Sequence, residues 1–323
     1  MSILKYVLRR SLYLIPVFFG ITLLVFAIER LAGDPVQLYT ALNPHITEAQ
    51  RQTLRHYLGL DLPLQDQYLQ WLSELFTLNL GFSYSSGLVS SLIAEKVWAT
   101  LELQLIGLVL SLAIAIPIGV LSARKRYSIL DVTVTNSSLI GTSIPVFFLG
   151  VAFILVFGYH LHWFPSGGLQ STIPAQYPYG SVILDQLWHL ALPSTVYTLA
   201  LLAPVVLLVR SSMLEVLRQD YILAARASGL SERTVIYKHG LRNALIPIVT
   251  YVGLYFGGLL AGAPVTETVF NWPGVGAQFV ISTTQLDFPV IQAIVVLITL
   301  MTLVANLATD VTYAYIDPRI RLE

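Results

Sequence analysis

Cysteine is absent from the 323 residues, so the chain has no disulfide framework, no thiol nucleophile and no cysteine-based metal site. Charge is scarce too. Asp, Glu, Lys and Arg make up 11% of the chain, and 18 basic residues balance 18 acidic ones. The zero net charge gives no global attraction to nucleic acid. No GxxxxGK[ST] loop occurs, so no Walker-type nucleotide site is recognisable. HExxH and GxSxG are missing as well, which removes the familiar membrane-hydrolase readings. What remains is apolar: 55% of residues are hydrophobic and the mean hydropathy is +0.72, far above an ordinary soluble domain.

Several uncharged runs approach the roughly 20 residues that cross about 30 Å of hydrocarbon as helix. The expected class is an all-α membrane protein of six spans, near Ser11–Ile28, Leu101–Ser122, Val134–Gly158, Leu187–Val209, Leu245–Pro264 and Val290–Ala308. The first run is long for a signal peptide and has no convincing small-x-small cleavage site after it, so a retained span is expected. Residues 33–96 form a mixed polar insert. Within it, Thr47 with Gln50 makes a capping-box pattern for a helix ending near Gly59. Pro63 opens a second helix through Trp71 and Leu75, and NLGFSYSSG reads as loop. The stretches Tyr159–Gln186 and Val265–Phe288, the latter holding FNWPGVG, also read as loops.

The longest charged interruption in the second half runs from Met213 to Pro247. Met213–Ser228 has helix-favouring composition. Gly229 can take the left-handed conformation that closes a helix, and Ser231 is a plausible N-cap with Glu232 in the following first turn. Orientation follows from the basic residues. With the N-terminus inside, Lys5, Arg9, Arg10, Arg124, Lys125, Arg126, Arg210, Arg218, Arg226, Arg233, Lys238, Arg242, Arg319 and Arg321 fall inside, 14 of 18, against Arg30, Arg51, Arg55 and Lys96 outside. The positive-inside rule then places both termini and the central helical lever in the cytoplasm.

Outside the lever, candidate sites are few. Glu29, Glu102, Asp131 and Asp310 sit near span ends, where interface or neighbouring helices satisfy them. His160 and His162 form a His-x-His pair that could face one metal, with His189 further on, but residues beside Trp163 read first as interfacial. Gly253, Gly257, Gly258 and Gly262 make overlapping Gly-x-x-x-Gly patterns. These serve close helix packing first, and a subunit interface lining a passage second. Pro145, Pro193, Pro204 and Pro247 can kink or end helices.

The segment DYILAARASGLSERTVIYKHGLRNALIPIVT resembles the cytoplasmic coupling motif of ABC-importer permeases, and most closely the dipeptide/oligopeptide/nickel permease family, B-type subunit. The general motif has Glu-Ala-Ala ahead of a glycine; here Leu223-Ala224-Ala225 precedes Gly229 without the leading acid. Arg242 stands where many sugar and amino-acid permeases have proline, and both departures fit the peptide branch. LRRSLYLIPVFFGITLLVF, AGDP, LGLDLPLQDQYLQWL, FNWPGVG, DFPVIQA and YAYIDPRIR extend the likeness over the whole chain.

The resemblance implies a type I (MetI-like) importer permease in the bacterial inner membrane. Residues 1–32 would hold the first span, 33–96 an extracytoplasmic insert, 97–312 a five-helix core with coupling region 213–242, and 313–323 a cytoplasmic tail. It implies no catalysis and no cofactor in this chain. ATP and Mg would sit on two ATPase subunits, beside a second homologous permease and an extracytoplasmic solute-binding protein. Tyr221, Leu223, Ala224, Ala225, Arg226, Gly229, Leu230, Arg233, His239, Arg242 and Asn243 would contact the ATPase, with plain positive-inside anchoring the other reading of Arg226 and Arg233. Small peptides are the expected cargo; nickel or another metal chelate, or glutathione, is the alternative within the architecture. An ion-coupled secondary transporter is the competing class.

Overall fold

The structure, a computed structural model, describes residues 3–34, 36, 46–57, 59–173 and 180–316. Pro35 of AGDP, residues 174–179 and the end of the tail (317–323, within YAYIDPRIR) lie outside the described residues. Among the described residues five helical stretches, one of them the continuous run Glu232–Ala261, are long and apolar enough to cross a membrane, and a sharply bent pair would make a sixth crossing. The chain divides into two compact units.

The first unit comprises Met1–Trp98, Gly257–Pro264 and Gly274–Glu323. α1 (Ile3–Ala32) is followed by α2 (Glu48–Tyr57) and α3 (Leu64–Phe76). The capping box at α2 forms as expected: the Thr47 N–H donates to Gln50 Oε1 at 2.8 Å, and the Gln50 N–H donates to Thr47 Oγ1 at 3.3 Å. α3 starts after Pro63, whose fixed φ suits a helix entrance. It lies on α1 through a 2.9 Å hydrogen bond between the Thr22 and Tyr68 hydroxyls and the rings of Phe26, Tyr68 and Trp71.

The NLGFSYSSG stretch departs from its expected loop. Phe82–Ser83 (β1) pairs antiparallel with Gly87–Leu88 (β2) in a short hairpin. Its turn is fastened because Ser83 Oγ accepts from the Ser85 and Ser86 N–H groups while donating to buried Asp287 at 2.5 Å. Asp287 immediately precedes α14 (Phe288–Ile316), which packs along α1. Val89, Ile93, Val275, Val290, Ala293 and Ile294 form this unit's core.

The second unit comprises Ala99–Phe256 and Val265–Pro273. Its helices belong to α4 (Val89–Arg124), α5 (Ile129–Ser143), α6 (Val146–Phe153), α7 (Val182–Val216), α8 (Asp220–Ala227), α9 (Glu232–Thr234), α10 (Leu241–Ala244), α11 (Ile246–Gly258) and α12 (Pro264–Val269). α6 continues as a π-helix over Ile154–His160.

Three expectations are corrected here. The third span is not one straight helix: α5 and the α6 segment meet at 95°. Pro145 explains the break, since it forces Ile144 into extended backbone and cannot donate to a helix passing through it. Pro193 and Pro204, by contrast, sit inside unbroken α7. Second, Val265–Phe288 is largely helical, through α12 and α13 (Val275–Gln285). Third, the helix expected over Met213–Ser228 breaks at 217–219. The N–H groups of Arg218 and Gln219 turn to i−3 carbonyls, and a new helix opens at Asp220 with Ile222 fully buried. Burying Ile222 outweighs a uniform helix-favouring composition, because propensity is the weaker term.

Gly107 and Gly119 are two of the glycines that permit close packing in this unit. A Cβ on Gly107 would stand 2.5 Å from the Tyr197 ring, and one on Gly119 would stand 2.7 Å from Val209. The Tyr197 hydroxyl then reaches Gln104 at 3.1 Å and the Tyr255 hydroxyl at 2.7 Å, tying α4, α7 and α11 together.

A helical arm as the candidate functional site

Residues 217–244 form an arm between α7 and α11. α8 ends in a left-handed glycine cap. Gly229 has φ +77°, its N–H donates to Arg226 O at 3.0 Å, and the Leu230 N–H donates to Ala225 O at 3.4 Å. That is the two-bond Schellman arrangement, which a residue with Cβ adopts only under strain. Ser231 then caps the next helix, its Oγ accepting from the Thr234 N–H at 3.3 Å. The turn is spanned by an ion pair in which Arg226 donates to Glu232 through Nη2 at 2.8 Å and Nε at 3.2 Å. The Glu232 carboxylate holds the Arg226 guanidinium above its ordinary pKa. Both side chains are well exposed, so the pair orients the turn more than it stabilises it.

Beyond α9 the backbone widens into a π-helix over Val235–Gly240 before α10. Asn243 Nδ2 reaches back to the Tyr221 hydroxyl at 2.8 Å, closing the arm on itself. Ile222, Val235 and Ile236 are buried. Ile236 and Ala244 share one apolar core with Ala115, Val120, Val209, Met213 and Ile248. Gly240 packs 3.4 Å (to its ideal Cβ) from Leu217. One side of the arm is therefore joined to α4, α7 and α11. The other presents Leu223 at 54% exposure, and Tyr221 and Leu230 at 42% each. Ala224 is exposed and Ala225 half-buried. Arg233 and Tyr237 line a cleft with Arg124 and Ile236. Arg242 and Asn243 are exposed, and His239 is half-buried.

Sequence reasoning missed the brace behind the arm. Asp131, only 2% exposed, accepts from Arg210 Nε at 2.6 Å and Nη2 at 2.9 Å, from Ser122 Oγ at 2.5 Å and from the Tyr127 N–H at 2.9 Å. Sequence analysis placed Asp131 among span-end acids and Arg210 among inside charges. Only the packing of α5 against α7 joins residues 79 positions apart.

The remaining candidates separate. Gly257 packs in ordinary contact with Thr302 and Ala305 of α14, and Gly257 O accepts from Thr302 Oγ1 at 2.8 Å. Gly258 has open space beside it, Gly253 is half-buried, and Gly262 takes φ +76° at the end of a 3-10 turn. The His160 and His162 rings lie against Tyr159. His189 is buried and bonds its own helix at Asp185 O, 2.9 Å away. Among the described residues no three His, Asp or Glu groups gather as a metal site. FNWPGVG is built inward: Phe270 and Trp272 are 1% exposed, and Trp272 Nε1 donates to Ala99 O at 2.8 Å.

Comparison with known proteins matches this architecture. Residues 115–322 match the family model described as "binding-protein-dependent transport system inner membrane component". The chain is 42% identical over 318 residues to the oligopeptide transport system permease protein AppB of Bacillus subtilis, covering 98% of each chain. It is 38% identical over 336 residues to the dipeptide transport system permease protein DppB of Escherichia coli K12, covering 98% of this chain and 99% of that one. A chain of the MetNI methionine ABC transporter in an inward-facing conformation superposes with a TM-score of 0.54 at 20% identity, over 71% of this chain and 97% of that one. The shared fold is the MetI-like type I importer permease.

Proposed function

The chain belongs to the binding-protein-dependent transport system inner membrane component family, and from that premise we propose that it is the permease subunit through which an ATP-driven importer moves small peptides. The observation that carries this is the two-sided arm: apolar groups of α8 and its cap face outward while Ile222, Val235 and Ile236 lock the same arm into the spans. A groove on an ATPase subunit would cover Tyr221, Leu223 and Leu230, with Ala224, Ala225 and Gly229 keeping the approach close. Arg226 is already paired with Glu232, which leaves Arg233 the freer of the two to meet an acidic or carbonyl partner.

In this reading both termini and the arm are cytoplasmic, residues 33–96 are the extracytoplasmic insert, and 97–312 hold the five-helix core. Two ATPase subunits bind ATP and Mg and hydrolyse it. A second homologous permease completes the passage, and an extracytoplasmic receptor delivers the cargo. ATP draws the ATPases together, moves the arm, and tilts the spans to which Ile236 and Ala244 are packed. It does so only to the extent that the ATP-bound dimer prefers one permease state over the other. Peptide cargo is supported by the oligopeptide and dipeptide permeases among the relatives.

The test is reconstitution of this chain with the permease, ATPases and receptor encoded beside it, followed by ATPase and uptake measurements in liposomes. Di- or oligopeptide with receptor should stimulate both. Stimulation by nickel chelates alone would overturn the cargo assignment, and activity of this chain without ATPases would overturn the mechanism.

A further inference from the structure

α1 carries its own measure of the bilayer. Arg9 and Arg10 at one end and Glu29 and Arg30 at the other bracket the uncharged run Ser11–Ile28. As helix that run is about 27 Å long, close to the roughly 30 Å of hydrocarbon in a bilayer. Leu23, Leu24 and Ile28 within it are 53%, 57% and 56% exposed, the surface a span turns to lipid.

α3 docks on α1 inside this run. Thr22 is fully buried; its hydroxyl donates to Phe19 O at 3.0 Å and so accepts from the Tyr68 hydroxyl, 2.9 Å away. Phe26 stacks on Trp71 and meets the Tyr68 ring edge-on. Thr22 and Phe26 stand about 9 and 3 Å short of Ile28 along the helix axis, so the contact lies below the hydrocarbon boundary.

The two sides of α3 agree with that depth. Gln67, Gln70 and Glu74 line a cleft with Glu29 and Arg30, at the charged end of α1. Roughly opposite them in the helical period lie Leu69, Leu72 and Phe76, with Gln65 in the first turn the polar member of this strip. Leu69 is 59% and Phe76 66% exposed, and Leu72 is half-buried. Since the polar side points to the charged end of α1, the strip points toward the membrane centre. A soluble receptor stays outside the hydrocarbon, whereas lipid continues onto the strip from Leu24 and Ile28. α3 holds Asp66 and Glu74 and neither Lys nor Arg, so apolar burial and not attraction to anionic headgroups would hold it there.

We infer that α3 is an interfacial helix immersed in the bilayer leaflet at the C-terminal end of α1, with Leu69, Leu72 and Phe76 among the acyl chains. Naming this the outer leaflet rests on the orientation proposed above; the immersion does not. A receptor then meets the polar side of α3 and not the strip.

The test places one nitroxide at a time on the cysteine-free chain, in the assembled transporter in nanodiscs without receptor, the signal of the unsubstituted complex being subtracted. Labels at Leu69→Cys and Phe76→Cys should relax more with oxygen than with water-soluble chromium oxalate, as Leu24→Cys does, while Asp66→Cys and Gln70→Cys should show the reverse. Phosphatidylcholine and phosphatidylglycerol discs should give the same order. Chromium-accessible labels at 69 and 76, labels there shielded from both reagents, or a lipid-like reading found only with phosphatidylglycerol would each overturn the inference. Hydroxyl-radical footprinting of the native complex reads the same strip without substitution: Leu69 and Phe76 should be as protected as Leu24, and their modification would count against immersion. Receptor-fed uptake with water-exposed labels would refute this inference alone, and lipid-exposed labels without ATP-driven uptake would refute the proposed function alone.

Discussion

The arm and the FNWPGVG stretch are both turn-rich interruptions between apolar helices, yet they dispose of their large side chains in opposite ways. Phe270 and Trp272 turn inward to near-complete burial, and the Trp272 indole N–H donates to Ala99 O. Gly167 sits against Phe270 so closely that an added Cβ would lie 2.4 Å from its carbonyl oxygen. The arm buries Ile222 and Ile236 but leaves Leu223, Leu230 and Tyr221 outside. One stretch completes the chain's own core. The other leaves part of its apolar surface uncovered by the described residues, and its internal bonds (the glycine cap, the Ser231 cap, the Asn243–Tyr221 bond) maintain that surface in a fixed shape.

The contrast fails first if Trp272 is dispensable. Trp272→Ala should cost about 3–5 kcal/mol through cavity formation and the lost bond, read as a lower melting temperature of the purified permease complex; an unchanged melt would break the assignment of this stretch to the core. Asp131→Asn should come next, at about 3 kcal/mol, since removing one member of a buried pair strands the other. Arg210 is partly exposed, which keeps the effect at the lower end of the range. The measurement is chemical denaturation of the same complex, and a matched loss in Arg210→Met with no further loss in the double variant would show the two acting as one brace.

On the arm the effects should move from stability to assembly. Leu223→Asp should leave the melting temperature unchanged and weaken ATPase-subunit co-purification by roughly tenfold or more, about 1.4 kcal/mol or beyond; retained ATPase together with a lowered melt would make Leu223 a core residue instead. Gly229→Val forces a β-branched side chain into φ +77° and should cost about 1–2 kcal/mol locally. An added Cβ meets nothing within 4 Å among the described residues, so Gly229→Asn, which tolerates that backbone, should restore coupled ATPase activity. Normal coupling in Gly229→Val would remove the turn from the mechanism. Arg226→Gln should matter least, below about 1 kcal/mol, with any effect on ATPase stimulation shrinking as salt rises.

Much of this was legible in the residues because the signals are local. Thr47 with Gln50, Gly229 and Ser231 are capping and turn chemistry acting over three or four positions, and each sits where its pattern placed it. Apolar length located the spans to within several residues, although α4 and α7 run well past their expected limits because polar ends can extend a helix outside an apolar window. The composition of Met213–Ser228 misled for the opposite reason: a helix-favouring run gives no warning that burying Ile222 needs the axis to turn at 217–219. The exposure of Leu223 and Leu230 could not be told from burial, since a leucine's identity does not say which way it faces.

By itself the sequence determined the membrane class, the number of apolar runs and the caps of the arm, since each depends on transfer free energy or on bonds between near neighbours in the chain. Only the tertiary structure decided that the run over 129–160 bends through 95°, that Asp131 pairs with Arg210, that Trp272 is core while Leu223 is surface, and that α3 meets α1 at Thr22 and Phe26. Those outcomes rest on which helix faces meet. Apolar burial has no direction of its own, so residues far apart along the chain acquire partners only when the helices have packed.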